Sequence, residues 1–141
     1  MIFDVIEDRL IASGDFTPGK DLFRNFMGAD CQIGVLIRGP LTGISIDPTI
    51  DGWHKGRIQI IVRHTDPVLG QQLMKKVTKL VTFEGDKVFP ANDERGELRL
   101  LLFFPETLPI QFPRLEGNAI EWSVHFKTVF SVDPEWYREA N

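Results

Sequence analysis

Cysteine is nearly absent from the 141 residues: Cys31 stands alone, so no disulfide can form within the chain. That usage fits a reducing compartment. No apolar run approaches the roughly 20 residues needed to span a bilayer. The opening stretch MIFDVIEDRLIASG has acids inside its apolar run and no basic segment ahead of them, which argues against a signal peptide and for the cytoplasm of the producing cell. Tyrosine is scarce, with 1 Tyr against 11 Phe. Phe has no polar handle, so these rings are expected in a core rather than on a ligand-reading surface. Neither a G-x-G-x-x-G turn nor a GK[ST] sequence occurs, which excludes the common phosphate-loop signatures. There is no internal repeat and no low-complexity tract. Positive charge is the minority, 16 Lys and Arg against 20 Asp and Glu, giving a net charge of -4. Such a balance opposes bulk attraction to nucleic acid.

The material present suits one domain: 43% hydrophobic and 26% charged residues. Residues 2–12 place Ile2, Val5, Ile6, Arg9 and Leu10 at helical spacing, and Gly14 suits the end of that helix. Leu22, Phe23 and Phe26 suggest one further helical turn. Residues 31–38 alternate as a strand, with Ile33, Val35 and Ile37 on one face. Residues 39–56 are rich in Gly, Pro and Asp and read as an 18-residue loop, longer than structureless loops usually run. Residues 57–63 form the next strand. Asp66 then caps a helix with Pro67 at its first position and an apolar stripe of Val68, Leu69, Leu73, Met74, Val77 and Leu80, weakened by Gly70. Residues 82–96 read as a polar connection and 97–104 as a covered strand. Residues 105–118 hold three prolines and cannot be a central strand. Residues 119–130 form a strand with Ile120, Trp122, Val124, Phe126 and Phe130 on one face and Glu121, Ser123, His125 and Lys127 on the other. The expected fold is α+β in the order α-β-β-α-β-β. It is a single domain over 1–130 with a tail over 131–141, built on a mostly antiparallel four-stranded sheet with helices packed on one face and long hairpin arms.

The polar corner Arg63-His64-Thr65-Asp66 is the first candidate for chemistry. Cys31 with His64 or His125 as base matches no local nucleophile signature, and a lone Cys opening a strand is more often a small core residue. His54, His64 and Asp66 are the best metal set, but none has an i, i+4 partner or a Cys-x-x-Cys companion. The basic stretches KGR (55–57) and MKKVTK (74–79) are expected to be solvated surface. The corner therefore reads as a strand end feeding a helix cap, and neither a catalytic residue nor a cofactor nor a metal is expected.

In four stretches the chain resembles the tail terminator (minor tail or minor capsid) proteins of long-tailed bacteriophages. IFDVIEDRLIA is similar to their opening helix. CQIGVLIRGPLTGISIDPTIDGWHKGRIQIIVR is similar to their first two strands with a long loop between. RHTDPVLGQQLMKKVTKL is similar to their Arg–Asp corner and second helix, and AIEWSVHFKTVF to their closing strand. The resemblance covers residues 1–130. It implies a homo-oligomeric ring, a hexamer, at the head-proximal end of the virion tail, assembled in the host cytoplasm. Such a ring stops polymerisation of the major tail tube protein and meets the head-completion or connector protein. It implies no catalysis and no membrane, and lets DNA pass without specific binding.

Within that frame the long arms 40–56 and 105–118 are expected to protrude and contact neighbouring subunits or the tube, through Leu41, Ile44, Ile46, Ile50, Trp53, His54, Leu108, Ile110 and Phe112. Asp47, Asp51, Glu116 and Glu121 are the candidate channel lining. The rival readings are another neck or connector component, a small cytosolic enzyme using Cys31 with a histidine, and a ligand-binding module with the polar sheet face as its platform.

Overall fold

The computed structural model describes residues 2–112 and 118–138. It is an α+β layer: helices α1 (Phe3–Ile11) and α2 (Pro67–Val81) share a core with a seven-stranded mixed sheet. The strands are β1 (Leu22–Arg24), β2 (Gly34–Arg38), β3 (Trp53–His64), β4 (Phe83–Phe89), β5 (Leu98–Pro105), β6 (Ile110–Phe112) and β7 (Ile120–Val132). Their order is β1-β2-β3-β7-β5-β4, with β6 on β7 beyond the end of β5. The β3–β7 ladder is the spine. It pairs antiparallel from Trp53↔Ser131 to His64↔Ile120, a length of roughly 35–40 Å at ~3.4 Å per residue.

The alternation seen in the sequence sets the two faces. Val35, Ile37, Ile58, Ile60, Val62, Trp122, Val124, Phe126 and Phe130 face the helices and meet Val5, Ile6, Leu10, Met74 and Val77 in one core. The opposite face is polar around Gln59, Ser123 and Lys127, with a small apolar cluster of Met27, Leu36 and Ile61. Asp66 caps α2 by accepting from the Val68 and Leu69 amides, both at 2.9 Å, and Pro67 occupies the first turn, as its chemistry requires. Arg9 of α1 donates to Leu80 O at 3.0 Å, satisfying a carbonyl near the C-terminus of α2.

Several expectations are corrected. The sheet has seven strands rather than four. Leu22–Arg24 is a strand parallel to β2, not a helical turn, because Leu22, Phe23 and Arg24 pair with Val35, Leu36 and Ile37. Residues 83–89 form an edge strand with a bulge between Glu84 and Lys87. No apolar alternation marks it, because Glu84, Gly85, Asp86, Lys87 and Val88 are all exposed, and charge is what protects a sheet edge. β3 begins at Trp53, four residues before the expected Arg57, and β7 runs on to Val132, past the expected boundary at 130. A short 3-10 helix, Pro134–Trp136, follows it. Ile33 lies ahead of β2 and is exposed, and Val68 and Leu69 are exposed on the outer first turn of α2. Gly70 is a packing residue: a Cβ there would sit 2.2 Å from the Trp122 ring, so only glycine lets the indole lie against the helix.

Candidate functional site

The polar corner is built for structure. Arg63 donates through Nη1 to Gly28 O at 2.7 Å and Cys31 O at 3.0 Å, and through Nε and Nη2 to Glu121 Oε2 at 3.1 Å. It thus ties the 28–31 turn to β7. His64 Nδ1 accepts from the Asp66 amide at 2.9 Å, and Asp66 is spent on the helix cap. Cys31 packs against the Met27 cluster, its Sγ donating to Ile33 O at 3.3 Å. Among the described residues no three His, Cys, Asp or Glu side chains gather at a metal-binding spacing. Of the basic stretches, Arg57 pairs with Glu106 and Lys76 with Asp15.

The first arm, residues 39–52, leaves β2 and folds back beside the start of β3. It carries Leu41, 93% exposed, and the exposed Ile46 and Ile50, while Ile44 turns inward against Gly56 and the core. Trp53 and His54 belong to β3 rather than to the arm. His54 lies opposite Phe130 on the core face, only 5% exposed, its ring centroid 5.3 Å from that of Phe130. Its Nδ1 lies 3.0 Å from Ser45 O. A carbonyl only accepts, so Nδ1 carries the proton and Nε2 of the neutral ring is an acceptor. That Nε2 is buried without a hydrogen-bond partner. The C-terminal turn locks the base of the arm: Gly52 N donates to Tyr137 Oη at 3.1 Å, and Arg138 Nε to Asp51 at 2.7 Å. Gly52 has φ +74°, and a Cβ there would meet Val132 O at 2.6 Å, so glycine is required at this junction. Between arm, β3 and C-terminal turn lies a chamber of about 530 Å³ walled by Phe3, Ile44, Ile46, His54, Phe130 and Trp136.

Among its described residues the second arm runs along β7 over 105–112. Pro105 pairs with Phe126, the Glu106 amide donates to His125 O at 2.9 Å, and Ile110–Phe112 pairs with Glu121–Ser123. β5 and β6 therefore form one line along the same side of β7, interrupted by a blister at Thr107–Pro109. Leu108 at its tip is 87% exposed, and Ile110 and Phe112 are exposed on the strand.

Of the four acids assigned to a channel, Glu121 pairs with Arg63 and Asp51 with Arg138, while Glu116 lies outside the described residues. Asp47 accepts from Thr49 N at 2.9 Å and Thr49 Oγ1 at 2.6 Å. The Thr49 hydroxyl, followed by the Thr49 amide, holds its carboxyl below the ordinary aspartate range. Sequence reasoning missed the Tyr137 and Arg138 latch and the buried Arg95, whose guanidinium meets Asp4 at 2.9 Å and caps Pro90 O and Gly96 O. The Tyr137–Gly52, Arg138–Asp51 and Arg95–Asp4 pairings are long-range, with no local spacing to announce them. A family model described as "Bacteriophage tail terminator protein" matches residues 9–132. No curated protein matches the chain.

Proposed function

The chain belongs to the bacteriophage tail terminator family, and from that premise, which makes it a structural component of the virion tail, we propose that it forms a ring of about six subunits closing by head-to-tail contacts. The ring caps the tail tube, stops its polymerisation and presents its other face to the head connector. The observation that carries this reading is a pair of exposed apolar groups in two separate regions, beside other exposed apolar side chains such as Phe26, Val68 and Trp136. Leu41, Ile46 and Ile50 lie on the first arm, and Leu108, Ile110 and Phe112 on the blister and β6 beside β7. Two unlike apolar surfaces on one chain suit a heterologous contact, in which one patch meets the other on the next subunit. Asp47, charged at neutral pH and without a cation partner among the described residues, is the best candidate for a channel wall that does not grip passing DNA.

The test is the mass of the protein in solution, alone and with tail tubes. The triple variant Leu41→Asp, Ile46→Asp, Ile50→Asp should keep the far-ultraviolet spectrum of the folded chain and lose both ring formation and tube capping. A two-fold dimer under all conditions, tubes included, would refute the ring. Tight duplex DNA binding at physiological salt would refute the passive channel.

A further inference from the structure

We propose that the chamber beneath the first arm is a receptor for the Thr107–Pro109 blister of a second copy of this chain. The inference rests on the ring reading and specifies which surfaces meet. Its first support is an unmet demand in the chamber. His54 lines the chamber, is almost wholly buried, and carries an Nε2 acceptor with no partner. A buried polar atom left unpaired is costly; Nε2 is sealed from solvent in the free chain, so docking must shift the chamber wall to bring a donor to it, and that bond stabilises the assembled state.

The second support is a matching surplus on the blister. Leu108 presents its side chain almost fully to solvent, and among the described residues the backbone amides of Thr107 and Leu108 and the Thr107 hydroxyl donate to nothing. An apolar knob beside free donors is what an aromatic-walled chamber with one orphaned acceptor accommodates. A volume of about 530 Å³ falls in the ordinary range for pockets that enclose a ligand, roughly 300–1,000 Å³, and leaves room for more than one side chain.

The third support is geometric. The chamber sits at the Phe130 level of β7, and the blister leaves the sheet between His125 and Ser123. That is five to seven strand residues away, roughly 17–24 Å at ~3.4 Å per residue. The blister is bounded on both sides by its own pairing to β7, so it does not reach the chamber of its own chain. The second copy is the occupant that carries the knob.

The experiment uses full-length chain with Cys31→Ser, removing the single native thiol. Leu41→Cys places a thiol on the chamber rim and Leu108→Cys one on the blister; both sites are exposed, so folding is preserved. Mixed in equal amounts and treated with a short thiol-to-thiol linker, the two single variants should give cross-linked dimers, whereas neither alone should. The double variant should give a covalent ladder ending at the ring size. In parallel, Leu108→Asp should weaken assembly by roughly tenfold or more while Leu108→Met leaves it near the parent. Rings that form without a Leu41–Leu108 cross-link would overturn the inference and leave the ring standing. A cross-link from Leu41→Cys to tube protein would assign the chamber to the tube instead. Absence of any oligomer, alone or on tubes, would remove the ring reading and this inference with it.

Discussion

The first arm and the 105–112 run have similar composition, both rich in residues that break regular structure, and the molecule uses them in opposite ways. Residues 39–52 leave the sheet. Gly43 and Gly52 take positive φ, Asp47 and Thr49 form a local turn, and distant side chains hold the base, Tyr137 through Gly52 and Arg138 through Asp51. Residues 105–112 return to the sheet after a short excursion, because β7 offers partners on both sides of it. A proline records the loss of one ladder donor; it does not record that the sheet has ended. The first arm is a loop with a fold of its own, and the second is a strand with a blister.

The largest test of this difference addresses the second region through the core residue beneath it. Trp122 pairs with Gln111 of β6, is 3% exposed, and lies against Gly70 of α2. Trp122→Ala should cost about 3–5 kcal/mol in denaturant unfolding, a large share of a small domain's stability. Amide exchange should speed up at Ile110–Phe112 more than in the first arm. A loss under about 1 kcal/mol would mean that the indole is not in the core and that the β6 register is wrong.

Legibility in the sequence follows the same division. The period-2 pattern of residues 119–130 put Trp122, Val124 and Phe126 on the core face and Glu121, His125 and Lys127 on the other, as the ladder has them. The Asp66–Pro67 helix start was equally readable, since capping is local chemistry. The three missed strands are short or lie at an edge: β1 has three residues, β6 has three, and β4 buries none. Such strands owe their form to a neighbour's free backbone edge rather than to their own side-chain pattern. His54 shows the same limit at the candidate site. It reads as loop in the Gly- and Asp-rich stretch before Arg57, yet β7 extends the ladder to Ser131 and draws it under the arm. In the polar corner Arg63, His64 and Asp66 each have a nearby structural use, as the strand end and helix cap read from the sequence require.

A middle-sized effect is expected where the C-terminal turn holds the first arm. Tyr137→Phe removes the oxygen that accepts from Gly52 N and leaves the ring in place. The expected loss is about 0.5–1.5 kcal/mol. The sharper readout is hydrogen exchange: amides near Gly52 should lose protection while those of Ile110–Phe112 do not change. Equal change in both regions would mean that the two respond as one unit and that the latch is not specific to the first arm.

The smallest effect concerns the charge that the first arm carries. Asp47 is exposed, and its Thr49 bonds favour the carboxylate, so its midpoint should fall below the ordinary value of about 3.9 when followed by the carboxyl carbon resonance. Because the folded-state value is depressed, whatever the turn contributes is present above the unfolded value and is lost as pH falls through the folded one, in a window lying below about pH 3.9. Thr49→Val deletes the hydroxyl, which is the larger cause, and keeps the amide, so the midpoint should rise part of the way back. Salt should change it little, since the cause is a hydrogen bond within the turn and not an ion pair. Glu106, at the start of the second region, is instead ion-paired with Arg57. The two acids thus separate the regions once more: one is bonded within the local fold of a loop, the other to a cation across the sheet. An Asp47 midpoint at or above about 3.9 that Thr49→Val does not move would mean that the turn is not formed in the free chain. The first arm would then take its shape only on meeting a partner, and the contrast with the ladder-bound second region would become one between order acquired on assembly and order present before it.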